Sequence, residues 1–151
     1  MSLTALLLGA VAAQAEPVMG CRDAFARGFD PDAIVEPWQD NSATYANGEI
    51  RIAKLDMIEP AGTPYRLLVL MGPRDEVGGR RCVIVQDSDG DGFARLDFAG
   101  RTSAYDPVTG LTLTFPVETA IGGDQTTLHV ISIELNSQTG DVSSDKKPAE
   151  R

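Results

Sequence analysis

The sequence predicts a mainly β protein, an antiparallel meander that closes into a small barrel or sandwich, with one short N-terminal helix. Three observations predict this class. At least six short apolar segments are separated by turn-forming Gly, Asn and Asp residues. Few residues remain between these segments, whereas parallel strands need crossovers of about a dozen residues or more. The 151 residues are also enough for one domain with its own core.

Residues 1–15 have the form of a secretory signal peptide. A short uncharged apolar stretch leads into Ala13-Gln14-Ala15, which fits a small-x-small cleavage site. The stretch is too short for a membrane anchor, which needs about 20 apolar residues. No Lys or Arg precedes it, which departs from the usual signal peptide. We expect export, to a secreted or periplasmic location, and a mature chain that begins at Glu16.

Cys21 and Cys82 are the two cysteines of the chain, and we expect them to form a disulfide bond after export. Their spacing fits neither a zinc site nor a CxxC redox pair. A lipidation motif ending at Cys21 is the alternative, but Glu16 and Pro17 separate that motif from the apolar stretch. A loop of about sixty residues closed by the disulfide would add roughly 4 kcal/mol to the free energy of unfolding.

The predicted elements follow in order along the mature chain. The apolar spacing at Cys21, Ala24, Phe25 and Phe29 predicts a short helix that packs across the sheet, and a second helical turn is expected over residues 31–36. A hairpin is expected at residues 136–141. Residues 143–151 are expected to form a disordered tail, which leaves one domain over residues 16–142. The predicted strands are residues 49–57, 65–71, 81–86, 93–99, 111–117 and 126–135.

The charge of the chain argues against two classes of partner. The formal net charge is −9 and the isoelectric point is about 4.5, whereas nucleic acid and anionic lipid surfaces require clustered Lys and Arg. The longest apolar run after the signal peptide is residues 67–71, far too short for stable membrane insertion. We therefore expect a protein or small-molecule partner.

Asp87, Asp89 and Asp91 alternate along the chain and are followed by Gly92. This pattern resembles the first half of the calcium loop of EF-hands and of other DxDxDG loops. Carboxylates on alternate residues of a curling loop can converge on one hard cation. The resemblance implies that these three side chains, together with the carbonyl group of Phe93, could hold Ca²⁺.

The same segment has a simpler interpretation as a hairpin turn. An EF-hand places a bidentate Glu at position twelve of the loop, where this chain has Phe98, and it requires helical rather than strand-like flanks. Asp89-Gly90 and Asp91-Gly92 are dipeptides typical of two-residue hairpin turns. A calcium-stabilised loop and a polar turn both remain open from the sequence.

Nothing in the sequence identifies a catalytic residue. His129 lies inside a predicted strand without a recognisable nucleophile or ligand pattern, which is typical of a solvent-facing or hydrogen-bonded strand histidine. No dinucleotide, P-loop, nucleophile-elbow or HExxH motif occurs. Four large amphipathic residues could rim a binding cleft, although such residues in small β domains are mostly core or cross-strand partners. They are Trp38, Tyr45, Tyr65 and Tyr105.

These observations favour an exported, non-enzymatic binding or adaptor module, with calcium stabilisation at residues 87–92 as one open interpretation. Two alternatives remain: a small hydrolase that uses carboxylates, and a structural component of an envelope or extracellular assembly. A closed pocket with two facing carboxylates would favour the hydrolase, and a flat exposed sheet edge would favour the structural component.

Overall fold

Two five-stranded antiparallel sheets make up most of the computed structural model, which describes residues 17–25, 31–58, 62–87 and 91–150. The signal peptide predicted over residues 1–15 and the predicted calcium ligand Asp89 lie outside these described residues.

The first sheet has the strand order β1-β5-β4-β3-β2, and each neighbouring pair is antiparallel. Its long central strands are rich in β-branched and other apolar residues, which suits a sheet covered on both faces. The bounds are β1 Val18–Gly20, β2 Ser42–Tyr45, β3 Ile50–Asp56, β4 Tyr65–Met71 and β5 Arg81–Val85.

The second sheet has the order β10-β9-β8-β6, and β7 also pairs with β8. Because β8 has 13 residues, the short strands β6 and β7 pair with different parts of the same edge of β8. The bounds are β6 Arg95–Leu96, β7 Thr102–Asp106, β8 Gly110–Gly122, β9 Gln125–Asn136 and β10 Asp141–Pro148.

The two sheets pack face to face as a sandwich. Residues on β8 alternate between buried and partly exposed positions, so its buried side chains form one inner face. Phe115 and Leu113 of β8 are fully buried against inner-face residues of the first sheet such as Val69. The prediction of a mainly β antiparallel fold is confirmed, and the sandwich rather than the closed barrel is the form that occurs.

A second apolar cluster lies on the outer face of the first sheet. Leu55 and Ile84 are its buried members, and Cys21 and Ile34 pack against them. Helix α1, Cys21–Phe25, lies at this face, and the last residues of the predicted helix, including Phe29, lie outside the described residues. The second helical turn is a three-residue 3-10 turn at Pro31–Ala33, and the sequence did not predict the single turn of helix α2, Trp38–Asn41.

The disulfide bond between Cys21 and Cys82 is present, as predicted. The two Cα atoms are 5.4 Å apart and the residues are 61 positions apart in the chain. The bond therefore ties the start of α1 to the first part of β5, next to the point where β1 pairs with β5. No helix among the described residues is both long enough and apolar enough to cross a membrane.

The sequence missed β1, β2, β7 and β10. The prediction of a disordered tail from residue 143 is wrong for the segment up to Pro148, since β10 pairs with β9 along its whole length. These four strands lie at sheet edges and are short or polar. A strand of this kind is stabilised by the backbone hydrogen bonds of its neighbour, which a local apolar pattern does not reveal.

We expect Cys21→Ser and Cys82→Ser each to lower the free energy of unfolding of the oxidised protein by about 2–4 kcal/mol, because either change opens the same loop. The double variant should lose little more than either single variant. Denaturant titration of the three variants and the wild type gives these values. Titrations in excess reductant serve as the control, in which the difference from wild type should shrink. Additive losses under oxidising conditions would contradict the shared bond.

Candidate functional site

The acidic loop begins where β5 ends. The backbone N–H of Asp87 donates to the carbonyl oxygen of Asp91 at 2.7 Å, so the two ends of the acidic loop, Asp87 and Asp91, lie side by side. The residue Asp87 is 8 % exposed and follows the inner-face residues of β5. A buried carboxylate is costly unless a charge or hydrogen bonds compensate it.

Lys146 supplies that compensation. Its Nζ atom forms an ion pair with Oδ1 of Asp87, and the side chains of Lys146 and Asp87 are 27 % and 10 % exposed, respectively. Lys146 is paired in register with the buried Ile131 of β9, so its side chain lies on the inner face of β10. The ion pair therefore joins the two sheets near the edge where β1 and β10 contact each other.

Phe93 and Gly92 have structural roles in this loop. The ring of Phe93 is buried in the main core, and its backbone exchanges hydrogen bonds of 2.8 and 3.1 Å with Tyr65. A β-carbon at Gly92 would collide with the carbonyl oxygens of Thr63 and Tyr65. The glycine that resembled part of a calcium loop is therefore required by a close backbone approach.

The calcium prediction stays a prediction. The described residues contain no group of three or more His, Cys, Asp or Glu side chains arranged to hold a metal ion, but Asp89 is not among them. The carboxylate of Asp87 already faces an ammonium group. A calcium ion at Asp87 would compete with Lys146 for this carboxylate.

His129 is hydrogen-bonded within the second sheet. Its Nδ1 lies 3.1 Å from Oγ1 of Thr119, on the adjacent strand β8. A hydroxyl group beside an imidazole is one requirement for nucleophilic catalysis. Thr119 is only 3 % exposed, however, so a substrate has no access to its hydroxyl group. His129 is therefore a strand histidine whose Nδ1 atom has a hydrogen-bond partner within the sheet.

A cavity of about 540 Å³ opens between the two sheets on the opposite side from the Asp87–Lys146 pair. Its floor consists of the core side chains Ile50, Leu111 and Leu135. Strand β7 and the turn that follows it form one wall, and Tyr45 of β2 forms part of the other. A volume of this size lies within the range of small-molecule pockets, roughly 300–1,000 Å³.

Arg101 holds the two walls together. Its Nε donates to the phenolic oxygen of Tyr45 at 3.0 Å, and its Nη1 donates to the carbonyl oxygen of Phe98 at 2.7 Å. The guanidinium group also lies over the ring of Phe98, 4.4 Å from its centroid. Tyr45 is therefore held at the side of the cavity. Because its phenolic oxygen accepts the bond from Arg101, its hydroxyl proton remains available for a hydrogen bond to a ligand.

The turn between β7 and β8 shapes the cavity mouth. The carboxylate of Asp106 accepts hydrogen bonds from the backbone N–H groups of Val108 and Thr109 at 2.7 and 3.0 Å. The bond from Thr109, followed by that from Val108, holds the pKa of Asp106 below its usual value, so the group is ionised at neutral pH. Gly110 has a φ of +98°, and a β-carbon at this position would collide with the carbonyl oxygen of Leu135. A residue with a side chain therefore does not fit there.

Two of the four aromatic residues considered from the sequence line this cavity. Tyr45 forms part of its wall, and Tyr105 is 72 % exposed at its mouth. Tyr65 instead lies beneath Nζ of Lys54, with 4.1 Å between that atom and the ring centroid. Trp38 is half exposed in α2, away from the cavity lining. The other lining residues come from strands and turns that are far apart in the sequence, so no local pattern indicated that they share one cavity.

Comparison with protein-family models, curated proteins and solved structures finds no match for this chain. Its function is therefore inferred from its own residues.

We expect Asp87→Asn and Lys146→Met to be coupled, because each change leaves a partly buried group without its partner. A double-mutant cycle on the free energy of unfolding should give a coupling of about 1–2 kcal/mol. The matched control is the exposed pair Asp145–Lys147, with N and O 3.0 Å apart on the same strand. Its coupling should be below about 0.5 kcal/mol. Equal couplings for both pairs would contradict a special role for the cross-sheet contact.

The calcium prediction is tested by melting the protein in EDTA, in 1 mM magnesium and in 1 mM calcium. A site with a dissociation constant of about 0.1 mM would add roughly 1.4 kcal/mol, or about 4 °C in Tm, in calcium alone. Asp89→Ala should abolish this shift. Lys146→Met should enlarge it, because the ammonium group no longer competes for Asp87. Identical melting of the wild type in all three conditions would leave residues 87–92 as a polar turn.

Proposed function

We propose that this chain is an exported, non-enzymatic binding module whose ligand site is the cavity between β2 and β7. The observation that carries the proposal is the cavity of about 540 Å³ between the two sheets. Its base is apolar, because Ile50, Leu111 and Leu135 of the main core contribute to the lining, although each is at most 7 % exposed. Sandwich interiors are normally close-packed, so an opening of this size between two sheets is a feature of a ligand site.

The chemistry of the lining supports binding rather than catalysis. The described lining residues include no carboxylate, imidazole, ammonium, guanidinium or thiol group. Hydroxyl groups of Tyr45 and Ser103 and the amide of Gln138 are available as polar contacts. Such a site favours an uncharged, mostly apolar group that makes one or two hydrogen bonds.

The disulfide bond supports the exported location in this proposal. Disulfides persist in secreted and periplasmic proteins and are rare where thiols are kept reduced. The bond between Cys21 and Cys82 fixes the N-terminal segment, directly after the proposed signal peptide, to the sandwich.

The hydrolase alternative has weaker support. It needs two carboxylates that face each other across an enclosed cleft. Glu134 and Asp141 share a shallow depression, but both are exposed on the outer face of the second sheet.

The cavity is tested with N-phenyl-1-naphthylamine, a neutral apolar probe whose fluorescence rises on leaving water. If each heavy atom of the probe contributes about 0.3 kcal/mol to the binding free energy, the cavity should bind it with a dissociation constant of order 0.1 mM. Ser103→Trp places an indole ring on the cavity side of β7 and should weaken binding at least tenfold. Retained affinity in this variant would place the probe elsewhere.

Thr102→Trp is the matched control, because Thr102 lies on the opposite face of the same strand. This variant should bind the probe as the wild type does. Thermal melting of both variants checks that each is folded. Absence of saturable binding to the wild type would overturn the proposal.

A further inference from the structure

Arg101 is a cation that lies between the two sheets, beside the cavity. It directly precedes β7 and follows the same alternation as Ser103, whose side chain lines the cavity. Its guanidinium group stacks on the buried ring of Phe98 and also contacts Tyr45 of the first sheet. The charge of this partly buried group therefore lies next to two residues of the cavity wall.

The charge of Arg101 has no counter-ion in the described part of the chain. Its contacts are with neutral groups, namely the phenolic oxygen of Tyr45 and the carbonyl oxygen and ring of Phe98. Arg74 and Arg95, by contrast, each pair with a glutamate. A partly buried charge has lost some of its hydration, and an opposite charge is the usual compensation. Arg101 can accept an anion without giving up an existing ion pair.

One edge of the guanidinium group is suited to hold that anion. Nε of Arg101 donates to Tyr45 and Nη1 donates to Phe98, whereas Nη2 has no hydrogen-bond partner among the described residues. Every buried side-chain nitrogen or oxygen atom of those residues has a partner, so Nη2 is accessible to solvent. Because Nε and Nη2 donate from the same edge of the planar fork, a carboxylate there could accept from both Nη2 and the hydroxyl group of Tyr45.

The nearest carboxylates along the chain do not occupy this edge. Asp97 accepts a hydrogen bond from the backbone N–H of Gly100 at 3.0 Å and forms no ion pair with Arg101. Asp106 is at the far end of β7, about 16 Å away for an extended strand, and its side chain lies on the opposite face from that of Ser103. Along β7, the end at Arg101 is therefore the one that favours an anion.

Four other charged residues adjoin the cavity from outside. Glu134 and Asp141 line a depression on the outer face of the second sheet, and Arg80 and Arg81 line another beyond the turn that carries Gln138. None of the four lines the cavity itself, and the two pairs have opposite signs. The contacts across the cavity wall therefore decide which ligand charge is preferred.

We propose that the cavity binds a small apolar molecule that ends in a carboxylate, and that Arg101 and Tyr45 hold the carboxylate. The inference rests on the proposed function and specifies its ligand. The apolar part of the molecule packs on the base formed by Ile50, Leu111 and Leu135. The acidic end lies beside the cavity rather than within it, which agrees with the uncharged lining.

The sign of the ligand charge is tested by displacement of N-phenyl-1-naphthylamine at neutral pH and low salt. Octanoate, octanamide and octylamine have similar alkyl chains and differ in charge. Octanoate should displace the probe at concentrations about tenfold lower than octanamide requires, because hydrogen bonds between charged groups are stronger than neutral ones. Octylamine should be the weakest competitor.

Equal displacement by octanoate and octanamide, or stronger displacement by octylamine, would overturn the inference. Either result would leave the proposed function intact, because the neutral probe itself reports on the cavity. Failure of the probe to bind would instead overturn both.

The place of the carboxylate is tested with variants at Arg101 and Tyr45. Arg101→Gln should abolish the preference for octanoate over octanamide while the affinity for the neutral probe changes less than about twofold. Arg101→Lys should keep part of the preference, because it retains the charge without the planar fork. Tyr45→Phe should lower the preference about threefold, because it removes one donor to the carboxylate. Thermal melting checks the folding of each variant, and Tyr45→Phe and Arg101→Lys decide the matter if Arg101→Gln does not fold.

The matched control is the double variant Arg80→Gln/Arg81→Gln. It removes twice the charge from the neighbouring depression and should leave the preference for octanoate unchanged to within about twofold. Loss of the preference in this control, with the preference retained in Arg101→Gln, would place the carboxylate in that depression and contradict the proposal. Equal losses in both would reduce the effect to net charge and contradict it as well.

Discussion

The need to cover two apolar sheet faces governs this structure. Phe115 and Leu113 of β8 are fully buried only because Val69 and its neighbours on the first sheet lie opposite them. Burial of each such side chain contributes about 1.5–3 kcal/mol, more than the about 0.5–1.5 kcal/mol of a typical neutral hydrogen bond. The two sheets therefore stay packed together. The two lateral sides of the sandwich differ in the contacts that close them.

One side of the sandwich is closed by specific contacts. The disulfide between Cys21 and Cys82 fixes the N-terminal segment beside β5, and the Asp87–Lys146 pair connects the end of β5 with β10. On the other side, the contact between Arg101 and Tyr45 leaves an opening above core residues. This asymmetry gives the molecule one protected and one accessible edge, which is why the proposed ligand site lies at β2 and β7.

The acidic loop shows how one pattern can serve two interpretations. Alternating carboxylates followed by glycine suggested a calcium loop, but Gly92 lies where a β-carbon would strike the carbonyl oxygens of Thr63 and Tyr65. Asp87 has Lys146 as its counter-ion, a residue in a segment expected to be a disordered tail. The sequence could not show this partner, because 59 positions separate the two residues and only the packing of the sheets brings them together.

The sequence by itself determined the β class, the disulfide partners and most of the long strands, because apolar runs and turn residues are local signals. Strands β4, β5 and β9 agree closely with their predicted bounds. Tertiary structure decided the edge strands, the choice of sandwich over barrel and the position of the cavity. These depend on which backbone hydrogen bonds and apolar faces meet in space. Tyr45 and Tyr105, for example, are sixty positions apart and line one cavity only because β2 and β7 face each other across the sandwich.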